Sequence, residues 1–336
     1  MKFIRNLIIV IVLFLSVSIL YVISTAGEIA ISKEDITTIR IGHDQPITNE
    51  RHLAIEHFKE LTEKKSGGQI RVLIYPNNQL GSEAEMIESV TLNDLQMVAA
   101  SAFSQYDERI SVFELPYLFD SYEQAWNVLD GEVGDEIGSI FLEDNLRILA
   151  YFENGFRHVT ANKPIESPED MKGLKIRTPE FPVSLSTFNA LSANPTPMSF
   201  GELYTALQQG TVDAQENPIS TTYTSKFQDV QNYLNLTNHQ YFPLPVAINE
   251  EFWESLSPNS QKIIEESSQE AAQYHREIIK KNEEKQIKEL EDEGMEIIDS
   301  DTEKFKNNVT EVYNAFKEAY GEEFVDRVLR AAKENE

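Results

Sequence analysis

Polar and apolar residues alternate along Thr38–Gly42, as on a strand with one covered face. Glu50–Lys65 then reads as a helix. Leu53, Ile55, Phe58 and Leu61 recur at near-helical spacing, Asn49 can cap its start and Gly67-Gly68 ends it. Gln69–Tyr75 reads as a second strand, Ser82 to about Val90 as a helix opened by Gly81, and Leu95–Ala100 as a third strand. Strand, helix and strand in this order are βαβ units, and predict a largely parallel sheet covered by helices.

The pattern resumes with strands at Arg147–Tyr151 and Phe156–Thr160. Ser167 with Asp170 fits the polar start of a helical turn. Leu174–Thr178 is a strand halted by Pro179, Val183–Ala193 and Phe200–Gln209 read as helices, and Val212–Ala214 as a short strand ending at Asn217-Pro218. A second α/β unit thus occupies roughly residues 155–240. Ser257–Glu291 is a long polar helix with Pro258 in its first turn; Ile263, Ile264, Ala271, Ala272, Ile278 and Ile279 form its buried side. Thr302 to Glu334 is again helical. No repeat and no Gly/Ser linker separates the two units, which fits lobes joined by several crossings better than independent beads.

The head of the chain is an address. Lys2 and Arg5 precede an apolar run, Leu7 to Ile23, broken only by Ser16 and Ser18, and Ser24-Thr25-Ala26 offers small residues for cleavage before Gly27. Residues 1–26 are expected to be a signal peptide. The 17 residues from Leu7 to Ile23 also reach the lower limit for a membrane span, so a retained anchor is the rival. Either way the remainder is expected outside the cytoplasm.

The 336 residues carry a net charge of −27 and no cysteine. A chain so acidic lacks the basic face a nucleic acid requires. The missing cysteines exclude disulfide frameworks, thiolate metal sites and cysteine nucleophiles. His52 and His57 are five apart, not the four that puts two ligands on one helical face, so they read as ordinary surface-helix residues. There is no Gly-x-Ser-x-Gly elbow, no Walker-type loop and no Gly-x-Gly-x-x-Gly. Neither an enzyme nor a cofactor is expected.

Two arginines stand in otherwise apolar strand-like segments: Arg157 in Gly155-Phe156-Arg157 and Arg177 in Leu174-Lys175-Ile176-Arg177. Such an arginine either pairs with an internal carboxylate or faces a cleft that receives an anion. Around them stand Met171-Lys172-Gly173-Leu174-Lys175-Ile176-Arg177-Thr178-Pro179, Asn194-Pro195-Thr196-Pro197-Met198 with Ser199–Gly210, and Val212-Asp213-Ala214-Gln215-Glu216-Asn217-Pro218. Tyr75–Gly81 and Glu114-Leu115-Pro116-Tyr117 belong to the same set. Together they resemble the substrate-binding proteins of tripartite ATP-independent periplasmic (TRAP) transporters, DctP type, over residues 38–330.

The resemblance implies two α/β lobes around a cleft, a periplasmic-binding-protein-like fold crossed by one long helix. Lobe I is expected over 37–154 plus about 242–282, and lobe II over 155–241 plus about 283–336. It implies capture of an organic acid anion for delivery to membrane permease subunits, by a monomer. Arg177 matches the family arginine that clamps the ligand carboxylate, Arg157 a second arginine near it, Asn217 an asparagine bonded to the same carboxylate, and Phe200 an aromatic packed on the ligand. From the residues alone, Asn217 could equally cap a helix and Phe200 could be core. Asp44 and Glu83 fall where related proteins touch ligand hydroxyls, or are solvated surface acids. Ala99-Ala100-Ser101-Ala102 stands where the sialic-acid branch carries a Glu and an Arg. A hexuronate such as glucuronate or galacturonate is the expected ligand, with a C4-dicarboxylate as alternative. Sensing for a two-component system is the alternative to transport.

Overall fold

The computed structural model describes residues 36–334; the expected signal segment lies outside them. A single nine-stranded sheet organises the chain. Its strands are β1 (Thr37–Gly42), β2 (Ile70–Tyr75), β3 (Met97–Ala99), β4 (Leu146–Ala161), β5 (Lys175–Thr178), β6 (Asn194–Pro197), β7 (Ala214–Asn217), β8 (Tyr233–Asn249) and β9 (Glu296–Ile298). The order across the sheet is β2-β1-β3-β8-β4-β7-β5-β6, with β9 beside β8.

The expected local starts and stops are present. Asn49 Oδ1 accepts from Arg51 N at the head of helix Glu50–Lys65. Ser82 and Glu85 form a reciprocal capping box ahead of Glu83–Thr91, and Ser167 with Asp170 another. Ser257 caps the 35-residue helix Pro258–Asp292, whose first residue is Pro258.

Several expectations are corrected. Arg147–Tyr151 and Phe156–Thr160 are halves of one 16-residue strand, β4. β4 pairs antiparallel with the 17-residue β8, and β3–β8 and β4–β7 are antiparallel too, so the sheet is mixed. β8 was not legible because it carries Asn235, Thr237, Asn238, His239 and Gln240, and then Pro243 and Pro245. β3 pairs only as far as Val246 and β9 only as far as Asn235, so the prolines lie beyond both ladders, where Pro245 O accepts from Ala100 N at 3.2 Å. The buried amides find partners within the fold: Asn235 bonds Ile165 N and Val159 O, and Gln240 bonds Glu114 O. β6, also unexpected, is Asn-Pro-Thr-Pro and sits at the sheet edge, where proline is tolerated. The strand expected at Val212–Ala214 runs Ala214–Asn217 instead.

β1–β3 with the start of β4 and the end of β8 form one half of the sheet. β5–β7 with the other ends of β4 and β8 form the second half. The first half packs Ile39, Ile41, Val72 and Met97 against Ala54, Ile55 and Phe58 of helix Glu50–Lys65, and against Ile264 and Ala271 of the long helix. Each such aliphatic or aromatic side chain removed from water contributes about 1.5–3 kcal/mol. Leu53, assigned to that helix's apolar stripe, is exposed; the buried face is Glu50, Arg51, Ala54, Ile55, Phe58 and Thr62. The long helix touches helix Glu50–Lys65, β4 and helix Ile219–Thr224, and so spans both halves.

Candidate ligand-binding site

Most strands that feed the site end near it, while β4 and β8 run past it with Arg157 and Phe242 in mid-strand. β1 and β3 stop just before Asp44 and Ser101, and β2 leads into the loop that carries Asn78; β5, β6 and β7 stop at Thr178, before Met198 and at Asn217. This crevice beyond the carboxyl ends of the strands is where open α/β sheets hold ligands. It contains about 620 Å³ of unfilled space, part of it open to solvent. Asp44, Glu83, Arg157, Arg177, Phe200 and Asn217, drawn from distant parts of the chain, all line it.

The three arginines of the cavity wall differ in their partners. Arg157 is only 3% exposed and forms an ion pair with Glu216, which faces Val159 in the β4–β7 ladder. Its Nη2 donates to Glu216 O at 2.8 Å, Glu216 Oε1 at 3.0 Å and Asn217 Oδ1 at 3.1 Å. Its guanidinium lies 4.2 Å over the Phe242 ring. Burial works against a charged Glu216, but the Arg157 guanidinium, its hydrogen bonds and the nearby His239, with Nε2 3.4 Å from Glu216 Oε2, outweigh it and hold the carboxyl below its usual range.

Arg177 is equally buried, at 3% exposure. Its Nε and Nη2 donate to Met198 O at 3.0 and 2.6 Å. Among the described residues no carboxylate lies within ion-pair distance, and Nη1 has no hydrogen-bond partner. Burial pulls its pKa down to about 10, with the Glu216 charge opposing that fall. A guanidinium held this way is a desolvated cation with one edge anchored and one edge free.

Arg51 was not foreseen. It is 3% exposed, and its Nη1 lies 2.5 Å from Asp44 Oδ1 and 2.8 Å from Glu83 Oε1. Its Nη2 donates to Asn154 Oδ1 at 3.0 Å. Asp44 Oδ1 also accepts from Gln45 Nε2, and Glu83 Oε2 accepts from Ser101 N at 2.9 Å. Burial, then the nearby Asp44 charge, push the Glu83 carboxyl up despite Arg51. The signal for Arg51 was present: residues 51, 54, 55, 58 and 62 share one helical face, and the face is otherwise buried.

The alternatives left open for the remaining candidates close as follows. Asn217 caps nothing: helix Ile219–Thr224 has no side-chain cap, and Asn217 Nδ2 donates to Gln215 Oε1 at 2.6 Å. Phe200 is half-buried, 6.3 Å from the Phe227 ring by centroid, and reaches the cavity. Asp44 is buried and Glu83 is largely so; neither is a solvated surface acid.

The matching family model, Bacterial extracellular solute-binding protein, family 7, covers residues 41–319. The chain belongs to this family, the DctP family. The 2,3-diketo-L-gulonate-binding periplasmic protein of Escherichia coli is 35% identical to it over 286 residues, 84% of this chain and 87% of that protein. The C4-dicarboxylate-binding periplasmic protein of Rhodobacter capsulatus is 34% identical over 284 residues, 82% of this chain and 85% of that protein. Among solved structures, the sugar acid binding protein of Advenella mimigardefordensis in complex with galactonate superposes with a TM-score of 0.86 at 33% identity, covering 90% of this chain and all of that one. A TRAP periplasmic solute-binding protein of Anaerococcus prevotii with bound D-glucuronate superposes with a TM-score of 0.85 at 29% identity, covering 89% and 99%. This DctP-family chain is therefore a two-lobed TRAP solute-binding protein, a transport component and not an enzyme. Its described residues include no helix long and apolar enough to cross a membrane.

Proposed function

We propose that this DctP-family protein captures the anion of a sugar acid outside the cytoplasm and hands it to the TRAP membrane permease as a monomer. A hexuronate such as glucuronate or galacturonate is the preferred ligand. The observation that carries this is Arg177: a buried cation in the cavity wall, anchored through Met198 O, with no carboxylate partner among the described residues. A ligand carboxylate can take its free edge, with Arg157 Nη1 and the remaining Asn217 N–H nearby on the same wall. Helix starts near Arg51, Glu83, Phe181 and Phe200 also border the cavity, which favours negative charge there. Across the cleft, Asp44 and Glu83 offer acceptor oxygens to ligand hydroxyls. Phe200 and Phe181 supply apolar faces for a sugar ring. The galactonate- and glucuronate-bound relatives support the sugar-acid class.

The lobes on this reading are 37–154 plus about 242–282, and 155–241 plus about 283–336. Support comes from β4 and β8, which shift register between Glu153 and Gly155, where Gly155 faces Phe242.

Thermal unfolding of the purified protein against uronates, aldonates, keto acids and C4-dicarboxylates tests the ligand class. A ligand at 100 times its Kd adds about 2.7 kcal/mol to the folded state. Hexuronates should raise the melting temperature most. Arg177→Lys, which cannot reproduce the guanidinium fork, should weaken hexuronate binding by on the order of 10- to 100-fold. Stabilisation by malate or succinate alone would make this a dicarboxylate binder. Unchanged affinity in Arg177→Lys would remove that residue from the site.

A further inference from the structure

Three arginines line the cavity, but their charges are not equally available. Arg157 is paired with Glu216, and Arg177 has no carboxylate partner among the described residues. Arg51 is shared by two carboxylates through a single nitrogen, Nη1, while Nη2 is turned to Asn154. We propose that Arg51 is a masked second carboxylate-binding arginine, occupied internally by Asp44 and Glu83, and that this mask selects acids bearing a single carboxylate. The inference rests on the reading that Arg177 holds the ligand carboxylate, and it adds the specificity-determining group on the opposite wall.

The charge arithmetic of that wall carries the argument. One guanidinium faces two carboxylates, so a second ligand carboxylate arriving there meets a net negative charge in a partly dry site. It cannot displace Asp44 or Glu83 without leaving a buried acid unpaired. A hydroxyl meets no such barrier. Asp44 Oδ2 has no hydrogen-bond partner among the described residues, and Asp44 lines the cavity, so that oxygen is free to accept from a ligand O–H. The same three residues therefore attract a polyol tail and exclude a second anionic end.

Neutralising the mask should expose the arginine. In Asp44→Asn and Glu83→Gln each amide keeps a carbonyl oxygen for the N–H of Gln45 or Ser101 that the acid now accepts. Arg51 would then stand unpaired, facing the cavity as Arg177 does, and a C4-dicarboxylate could bridge the two.

The test is titration calorimetry with D-glucuronate, D-galactonate, L-malate and succinate. It uses the parent, Asp44→Asn, Glu83→Gln, the double variant, the double variant with Arg51→Gln, and the parent with Arg177→Lys. Cooperative thermal unfolding serves as the control for folding. The parent should bind a sugar acid at least roughly tenfold more tightly than malate. Malate affinity should rise in each single variant and by about tenfold or more in the double variant, and Arg51→Gln should erase the gain. Folded variants whose malate affinity stays within about threefold of the parent overturn the mask, as does a gain that survives Arg51→Gln. Should the double variant not fold, Asp44→Asn decides alone, because it retains the Arg51–Glu83 pair. A parent that prefers malate overturns selection for a single carboxylate. Sugar-acid affinity that is unchanged in Arg177→Lys overturns the underlying reading and is distinguishable from failure of the mask.

Discussion

Glu153 illustrates what burial does to a single side chain. It is 2% exposed on β4, beside the register shift, with Tyr241 OH donating to it at 3.0 Å and Trp126 Nε1 donating as well. Burial dominates these hydrogen bonds and pushes its carboxyl up to about 7. The folded protein therefore binds this proton more tightly than the unfolded chain does. The stability that Glu153 contributes is complete below the ordinary carboxylate pKa and is lost as pH rises through about 7. His158 works in the opposite direction: burial, then the His239 and Arg157 charges, pull it down to about 3. Its neutral form is held in the fold, so stability is lost as pH falls below its ordinary value. Urea unfolding of the parent and Glu153→Gln should show the parent losing up to about 3 kcal/mol relative to the variant between pH 4.5 and 7, and no further change above that. A difference independent of pH over this window would mean Glu153 is already ionised in the fold. Nothing in the sequence distinguished Glu153 from the many other acids of the chain, since its environment is assembled from Trp126, Tyr241 and His275 of three remote segments. Arg177 was different. Its apolar strand neighbours and following proline marked it before any tertiary contact was known.

Among elements, helices Glu50–Lys65, Glu83–Thr91 and Pro258–Asp292 were readable because their signals are local, whereas Tyr122–Leu129 and Glu132–Ile140 were not read. Caps, a first-turn proline and terminal glycines act within four residues of where they stand. β4 and β8 were not readable as whole strands, because their ladders join residues about 80 or more positions apart over much of their length. Gly155 shows why β4 looks like two strands from sequence. It has φ +102°, a backbone setting that other residues reach only with strain, and it lies where the register shifts. A Cβ there would meet Tyr122 Oη at 3.4 Å and Pro218 Cβ at 3.5 Å, which is ordinary contact. The cost of Gly155→Ala is thus backbone strain of about 1–3 kcal/mol, to be measured as a fall in the denaturant midpoint with an unchanged m-value. Wild-type stability in that variant would show that the strand relaxes freely at this point. Along this bent strand Arg157 lines the cavity and Glu153 does not.

For the molecule as a whole, the cleft is bordered by both halves of one sheet, and β4, β8 and the long helix run from one to the other. Asn49 Nδ2 also donates to Thr224 Oγ1 at 3.0 Å across the halves. Such an arrangement can close by small changes at the strand crossings. Small-angle scattering with a saturating sugar acid should give a smaller radius of gyration than without; superimposable curves would count against closure. The family and six of the cavity-lining residues, Arg177 among them, were legible in the chain, because each rests on short motifs whose spacing is local. The mixed sheet, the continuity of β4 and β8, the Arg157–Glu216 pair and the masking of Arg51 were not. Burial, charge pairing and desolvation are properties of the space between segments, and two arginines in similar local settings acquire opposite availability only when the fold supplies a carboxylate to one and withholds it from the other.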